Sequence, residues 1–191
     1  MRVKDQAKES RILKATRDLV NEIGFKAASM SKIAKAADVS PATIYLYFPN
    51  QEALFIENYI QSKRIMADDL FGKDDLSTFT VKDATEHLWQ GYFKFMRKKG
   101  DIYSYYTHFS SSPYITSVDC RDIDPRFEQL FEVVQRGIDQ GIFRPLHWTM
   151  YWANLIGPIE RLYRDASIFH FKIDKNVQQS AFEMAWKSLT I

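Results

Sequence analysis

One stretch constrains this chain more than any other: SMSKIAKAADVSPATIYLYF at residues 29–48 reads as two short helices joined by a tight turn. Ser29 is suited to an N-cap, because its hydroxyl can accept from the free N–H groups of a first helical turn. Met30, Ile33, Ala34 and Ala37 recur at helical spacing and form one apolar face. Ala34 is small and lets a second helix cross closely. Asp38 falls where the chain must turn, and Asp tolerates a left-handed backbone better than most residues with a side chain. Val39 plugs the inside of that turn. Ser40 is a second N-cap, and Pro41 takes the first helical position, where its missing N–H costs nothing. Ile44 and Phe48, four apart, face inward.

This pattern leaves Thr43, Tyr45 and Tyr47 facing out. Exposed helices usually carry Glu and Lys, whereas this set is a hydroxyl and two phenols without charge. Such groups both donate and accept hydrogen bonds, which is what phosphates and base edges ask of a helix entering a DNA groove. The competing reading is a core helix of a small bundle with half-buried tyrosines. Two helices joined by a turn of this kind have a definite sequence signature, and it favours DNA recognition.

Three features together resemble the N-terminal domain of TetR/AcrR-family transcriptional regulators. They are a first helix ending at Gly24 and Phe25, the paired helices above, and IYLYFPNQEAL at residues 44–54. The likeness covers roughly the first third of the chain; beyond it, only length and helical character agree. It implies that Thr43, Tyr45 and Tyr47 contact DNA, with Ser29, Ser31, Lys32, Pro41 and Ala42 beside them. Two positions depart from the pattern. Asp38 stands where Gly is commonest, and Gln51 stands where a Lys usually grips a phosphate. At Gln51 an ionic contact is thereby lost or reduced to a neutral hydrogen bond.

Charge supports the division suggested by the motif. Of the formal net charge of +2, residues 1–50 hold nine basic against five acidic side chains, a net +4, which leaves −2 for the remainder. A basic head on a near-neutral body suits a nucleic-acid partner, though a solvated helix face produces a similar asymmetry. Lys4, Lys8 and Arg11 sit where they can meet flanking phosphates. With one cysteine, Cys120, no intramolecular disulfide can form, and a reducing, cytoplasmic location is expected. No apolar leader opens the sequence, and the uncharged run near Trp148–Ile159 is too short to span a bilayer.

The rest of the chain is helical in pattern. Residues 5–23 carry Ile12, Thr16, Leu19 and Ile23 on one stripe, and Gly24 is placed to end that helix in a left-handed conformation. Asn50 is placed to cap a helix over about 51–71. The polar stretch after Gly72 separates it from a helix over 82–99. Asp101 is placed to cap a shorter one through Phe109. Asp124 and Pro125 start another, which runs to Gly141. A long helix spans about 147–168, which Pro158 should kink or split. Asp174 is placed to cap the last, to Leu189. The expected fold is all-α, with a three-helix DNA-binding domain at 1–50 and a helical ligand-binding and dimerisation domain at 51–191.

Catalytic signatures are missing. His87, His108, His147 and His170 do not pair at metal-ligand spacing, no Gly-rich phosphate loop occurs, and Ser110–Ser112 beside His108 lacks an orienting acid. No enzyme activity, cofactor or metal is expected. One candidate site remains in the body. Trp89, Tyr92, Phe93, Tyr103, Tyr106, Phe109, Trp148, Tyr151 and Trp152 exceed what a small bundle needs for packing, and apolar cavities with a few indole and phenol handles bind small molecules. Plain core packing is the alternative for each ring.

The resemblance adds three expectations. The chain forms a homodimer through its last two helices, about 147–170 and 174–189. The dimer binds a palindromic double-stranded DNA operator as a repressor. An apolar or aromatic effector in the body re-spaces the two heads and releases the DNA. The rival function is a helical protein-interaction or ligand-sequestering protein that keeps the head without DNA binding.

Overall fold

Asp5 starts the first helix by accepting hydrogen bonds from the N–H groups of Ala7 and Lys8 at 3.0 and 3.2 Å. The computed structural model describes residues 5–118 and 123–191, so Lys4 and Cys120 lie outside the described residues. Nine α-helices follow in order among them: α1 (Gln6–Ile23), α2 (Met30–Ala36), α3 (Pro41–Tyr47), α4 (Gln51–Leu70), α5 (Val81–Lys98), α6 (Gly100–Ser110), α7 (Glu128–Asp139), α8 (Trp148–Phe169) and α9 (Lys175–Leu189). The β pairing among the described residues is one isolated antiparallel bridge, between Phe143 and Thr190. The all-α expectation holds. No described helix is long and apolar enough to cross a membrane.

The chain divides into two compact units, each discontinuous in sequence. One comprises Met1–Met66 and Met96–Asp124, the other Ala67–Phe95 and Pro125–Ile191. The expected boundary at 50/51 falls between α3 and α4, inside the first unit. The reason is visible in α6, which packs on α1. Tyr105 donates its phenol to the Phe55 carbonyl at 2.9 Å, and Asn21 donates its amide to the Asp101 carbonyl at 2.8 Å. Burial pushes the Tyr105 phenol far above its ordinary pKa, so it stays protonated and keeps donating. Phe25, just past α1, meets Phe55, Tyr105 and Phe109 edge-on at 5.0, 5.6 and 5.9 Å. These rings, with Ile12, Leu13, Val20, Ile33, Ile44 and Leu54, make the core of the first unit.

Several helix ends follow their sequence signals and two do not. Ser29, Ser40, Asn50 and Asp174 each accept from the N–H three residues on, and Pro41 opens α3. Asp101 does not cap α6. That helix begins at Gly100, with Lys99 ahead of it making no side-chain cap, and Asp101 lies in the first turn, beside Arg17 at 3.7 Å. Gly24 has φ 76° and ψ 165°, which is not the left-handed helical conformation but an extended one essentially reserved for glycine. Its N–H still bonds to the Val20 carbonyl at 2.8 Å.

In the second unit, α8 runs unbroken through Pro158 from Trp148 to Phe169. Pro158 costs the helix one bond, to the Asn154 carbonyl, and its ring stands on the exposed side, so the helix continues past it. α9 returns along α8. Phe143 anchors the end of this unit, 5.6 Å from the Tyr151 ring and 5.3 Å from the Trp186 ring. It fits because Gly137 has no side chain: a Cβ there would stand 2.1 Å from Phe143 Cδ2. The chain end is clipped to the same region, with Arg144 N–H on the Leu189 carbonyl and Ile191 N–H on the Ile142 carbonyl at 3.0 and 3.1 Å.

Candidate nucleic-acid interface and ligand cavity

The turn between α2 and α3 is closed by the Val39 N–H on the Ala34 carbonyl at 3.0 Å, with Asp38 at φ 54°. Ile44 and Phe48 are buried, so the inward face of α3 is the one read from sequence. The outward face differs. Ala42, Tyr45 and Leu46, at i, i+3 and i+4, form the exposed stripe, with Tyr45 at 53% and Leu46 at 68% exposure. Thr43 and Tyr47 lie on the flank and are half-buried. The Thr43 hydroxyl lies 2.9 Å from the Ser40 hydroxyl, and the Tyr47 phenol donates to the Asp5 carbonyl at 3.4 Å. Local contacts explain the correction: at about 100° per residue Tyr45 and Tyr47 lie equally far from the buried 44/48 face, but Tyr47 is drawn onto the backbone at Asp5 and Thr43 onto the Ser40 cap.

Ser29, Ser31, Lys32, Pro41 and Ala42 are all exposed. The Lys32 ammonium donates to the Ala27 carbonyl at 3.1 Å. Two of its three donors remain for a phosphate. Gln51 is half-buried, and its amide donates to the Ala28 carbonyl at 2.8 Å. Its place in the structure is therefore as a strut between α4 and the start of α2. The interface thus presents a helix-turn-helix whose second helix exposes an uncharged stripe, flanked by hydroxyls and by the exposed cations Arg11, Lys32 and Lys35.

The family models match both parts of the chain. Residues 12–57 match bacterial regulatory proteins of the tetR family, and residues 81–190 match the tetracyclin repressor-like C-terminal domain. The chain belongs to the TetR family. An uncharacterised helix-turn-helix transcriptional regulator of Haemophilus influenzae is 25% identical over 179 residues, 93% of each chain. The Escherichia coli regulator UidR is 43% identical over 54 residues, 28% of each chain. A TetR family transcription regulator from Marinobacter aquaeolei superposes with a TM-score of 0.83 at 26% identity, covering 100% of this chain and 99% of that one. This TetR-family member is a DNA-binding transcriptional regulator.

The nine aromatic residues singled out in sequence do not form one group. Tyr103, Tyr106 and Phe109 belong to the first unit, where Tyr106 and Phe109 stack on Tyr59 at 5.7 and 4.5 Å. Trp89, Trp148, Tyr151 and Trp152 line a cavity of about 90 Å³ in the second unit. Tyr92 and Phe93 are buried but are not among its lining. The Tyr92 phenol donates to Glu160 at 2.6 Å and its ring meets Trp152 edge-on at 5.6 Å, while Phe93 stacks on Trp89 at 6.2 Å. The wall is completed by residues that the aromatic reading missed, chiefly Leu130, Phe131 and Val134 of α7 and Phe143. None of the fourteen lining residues is charged. Tyr151 spends its phenol on the Arg144 carbonyl and the Leu146 N–H, and Thr85 spends its hydroxyl on the Val81 carbonyl. The Trp89 indole N–H is buried without a partner among the described residues.

Proposed function

We propose that this regulator is a ligand-responsive repressor. It binds a palindromic operator as a homodimer through α8 and α9, and a small apolar or aromatic effector lowers its operator affinity. The observation that carries the ligand part is the cavity walled by Trp89, Trp148, Tyr151 and Trp152 without a charged residue. A charged ligand entering such a wall would lose its hydration without compensation, whereas an apolar one gains by burial.

Support for the dimer comes from α8, α9 and the turn between them, where Phe169 and Met184 are 69% and 74% exposed and Ile168 and Phe171 are exposed too. An apolar surface of this kind marks a partner face. A two-fold partner then sets two recognition helices about one helical turn of DNA apart, or a multiple of it.

The test is selection of bound duplexes from a random pool, followed by titration with a neutral aromatic probe such as naphthalene. Recovered sites that are inverted repeats, and a complex weakened by naphthalene but not by benzoate, are the expected results. Sites without symmetry would remove the dimeric operator, and indifference to neutral aromatic probes would remove the effector.

A further inference from the structure

The outward stripe of α3 is unusual in what it lacks. The side chains that pair most specifically with base edges are Arg and Lys on guanine and Asn and Gln on adenine. Here the stripe is Ala42, Tyr45 and Leu46, and α3 has no charged or amide side chain at all. Leu46 is 68% exposed, the most exposed large apolar side chain in α1–α4. Among the described residues it stands largely in solvent, whereas the buried side chain of α3 is Ile44. An isobutyl group held in solvent on a groove-entering helix stabilises nothing in the free protein. The apolar feature of a major groove is the C5-methyl of thymine.

We propose that Leu46 is a specificity-determining residue that reads thymine methyl groups, with the Ala42 methyl at the preceding turn of the same stripe reading a second. Tyr45, beside them on the helix, supplies the one hydrogen-bonding group of the stripe. The operator is then selected at these positions by shape and methyl contact. This inference rests on DNA binding by the helix-turn-helix and is independent of effector and repression.

Uracil substitution tests it, because it deletes the thymine methyl and leaves the base-pair hydrogen bonds unchanged. The full chain is titrated against its selected operator and against copies in which each thymine, in both half-sites, is replaced in turn by uracil. At one thymine pair at least, demethylation is expected to weaken binding by about fourfold per half-site, the value of one buried methyl, and by about fifteenfold for both. Leu46→Ala should bind the thymine and uracil operators equally at that position while keeping its sensitivity at others. Leu46→Asn, selected afresh, should recover sites that have lost thymine there. Tolerance of every uracil by the natural chain overturns the proposal. So does a Leu46→Ala protein that weakens equally on both operators. A chain that selects no duplex, with no salt-dependent binding, instead defeats the DNA-binding reading itself.

Discussion

Gln51 donates its side-chain amide to the carbonyl of Ala28 at 2.8 Å, tying the first turn of α4 to the residue ahead of the Ser29 N-cap. The position from which a lysine would reach a phosphate is thus occupied by an internal strut. A half-buried hydrogen bond of this kind contributes about 1 kcal/mol. Gln51→Ala should therefore lower the stability of the first unit by about that amount, read in urea unfolding. In Gln51→Lys the ammonium can take the same carbonyl, so the log–log salt slope of operator binding should stay as it is. A slope steeper by about 0.9 per subunit would show the side chain reaching the backbone of the DNA instead.

Tyr45 and Ile44 are adjacent in sequence and opposite in role. Tyr45 is 53% exposed and Ile44 is fully buried. Tyr45→Ala should weaken operator binding by roughly 1–3 kcal/mol with the melting temperature unchanged. Ile44→Ala opens a hole and should cost about 2–5 kcal/mol of stability. Operator affinity and thermal unfolding, measured on both variants, should separate them cleanly. A Tyr45→Ala protein that unfolds early would place the phenol ring in the packing rather than in the interface.

The same helix shows where sequence reading stopped. Caps, turn and buried face were legible, because each follows from a local rule: a hydroxyl or carboxamide before a free N–H, a small residue at a crossing, an i to i+4 apolar pair. The outward set included Thr43 and Tyr47, which are half-buried because of particular contacts with Ser40 and Asp5 that no helical periodicity announces. Leu46 was passed over because an exposed leucine has no local signature. The cavity was half legible. Its aromatic residues on α5 and α8 stood out by composition, but which of them share a wall depends on tertiary placement, and Tyr103, Tyr106 and Phe109 belong elsewhere. The clue to the α7 wall was Gly137, a glycine among Leu130, Val134 and Ile138 at helical spacing.

Asp38 holds φ at 54°, where a side chain costs energy that glycine does not pay. Asp38→Gly should raise stability by up to about 1 kcal/mol and leave operator affinity unchanged. Asp38→Val puts a β-branched residue there and should lower stability by roughly 1–2 kcal/mol. Chemical denaturation of the pair checks both signs. Loss of operator affinity in a well-folded Asp38→Gly protein would give the carboxylate a role in binding.

Gly137 and Phe143 form a lock: the ring occupies the space a Cβ would need, with Cδ2 only 2.1 Å from it. Gly137→Ala should destabilise the second unit by about 1–3 kcal/mol through overpacking. Phe143→Ala alone should cost about 3–5 kcal/mol by leaving a hole. The double variant should be more stable than the sum of the two losses predicts, since the clash is gone once the ring is gone. A strictly additive cycle would mean that the ring had already moved aside in Gly137→Ala.

The size of the cavity limits how much an effector can do. A ligand shifts the DNA-competent population only through its differential affinity for the two states. Moving that balance from 1:99 to 99:1 takes about 5.5 kcal/mol, or about 2.7 kcal/mol from each of two pockets in a dimer. That corresponds to each ligand burying roughly 100 Å² more apolar area in the free protein than in the DNA complex. A cavity of about 90 Å³ accommodates only part of a drug-sized molecule, so the remaining area has to come from movement of the wall. Trp148 is 53% exposed and rests against Phe131 at 5.9 Å, which makes this pair the part of the wall free to close over a ligand. Neutral aromatic probes should therefore quench or shift tryptophan emission, and should bind the free protein more tightly than the operator complex, as linkage requires. Trp152→Ala and Trp148→Ala should weaken that response while leaving unliganded operator binding nearly intact. Equal probe affinity for free and DNA-bound protein would show that the cavity is filled without consequence for the switch.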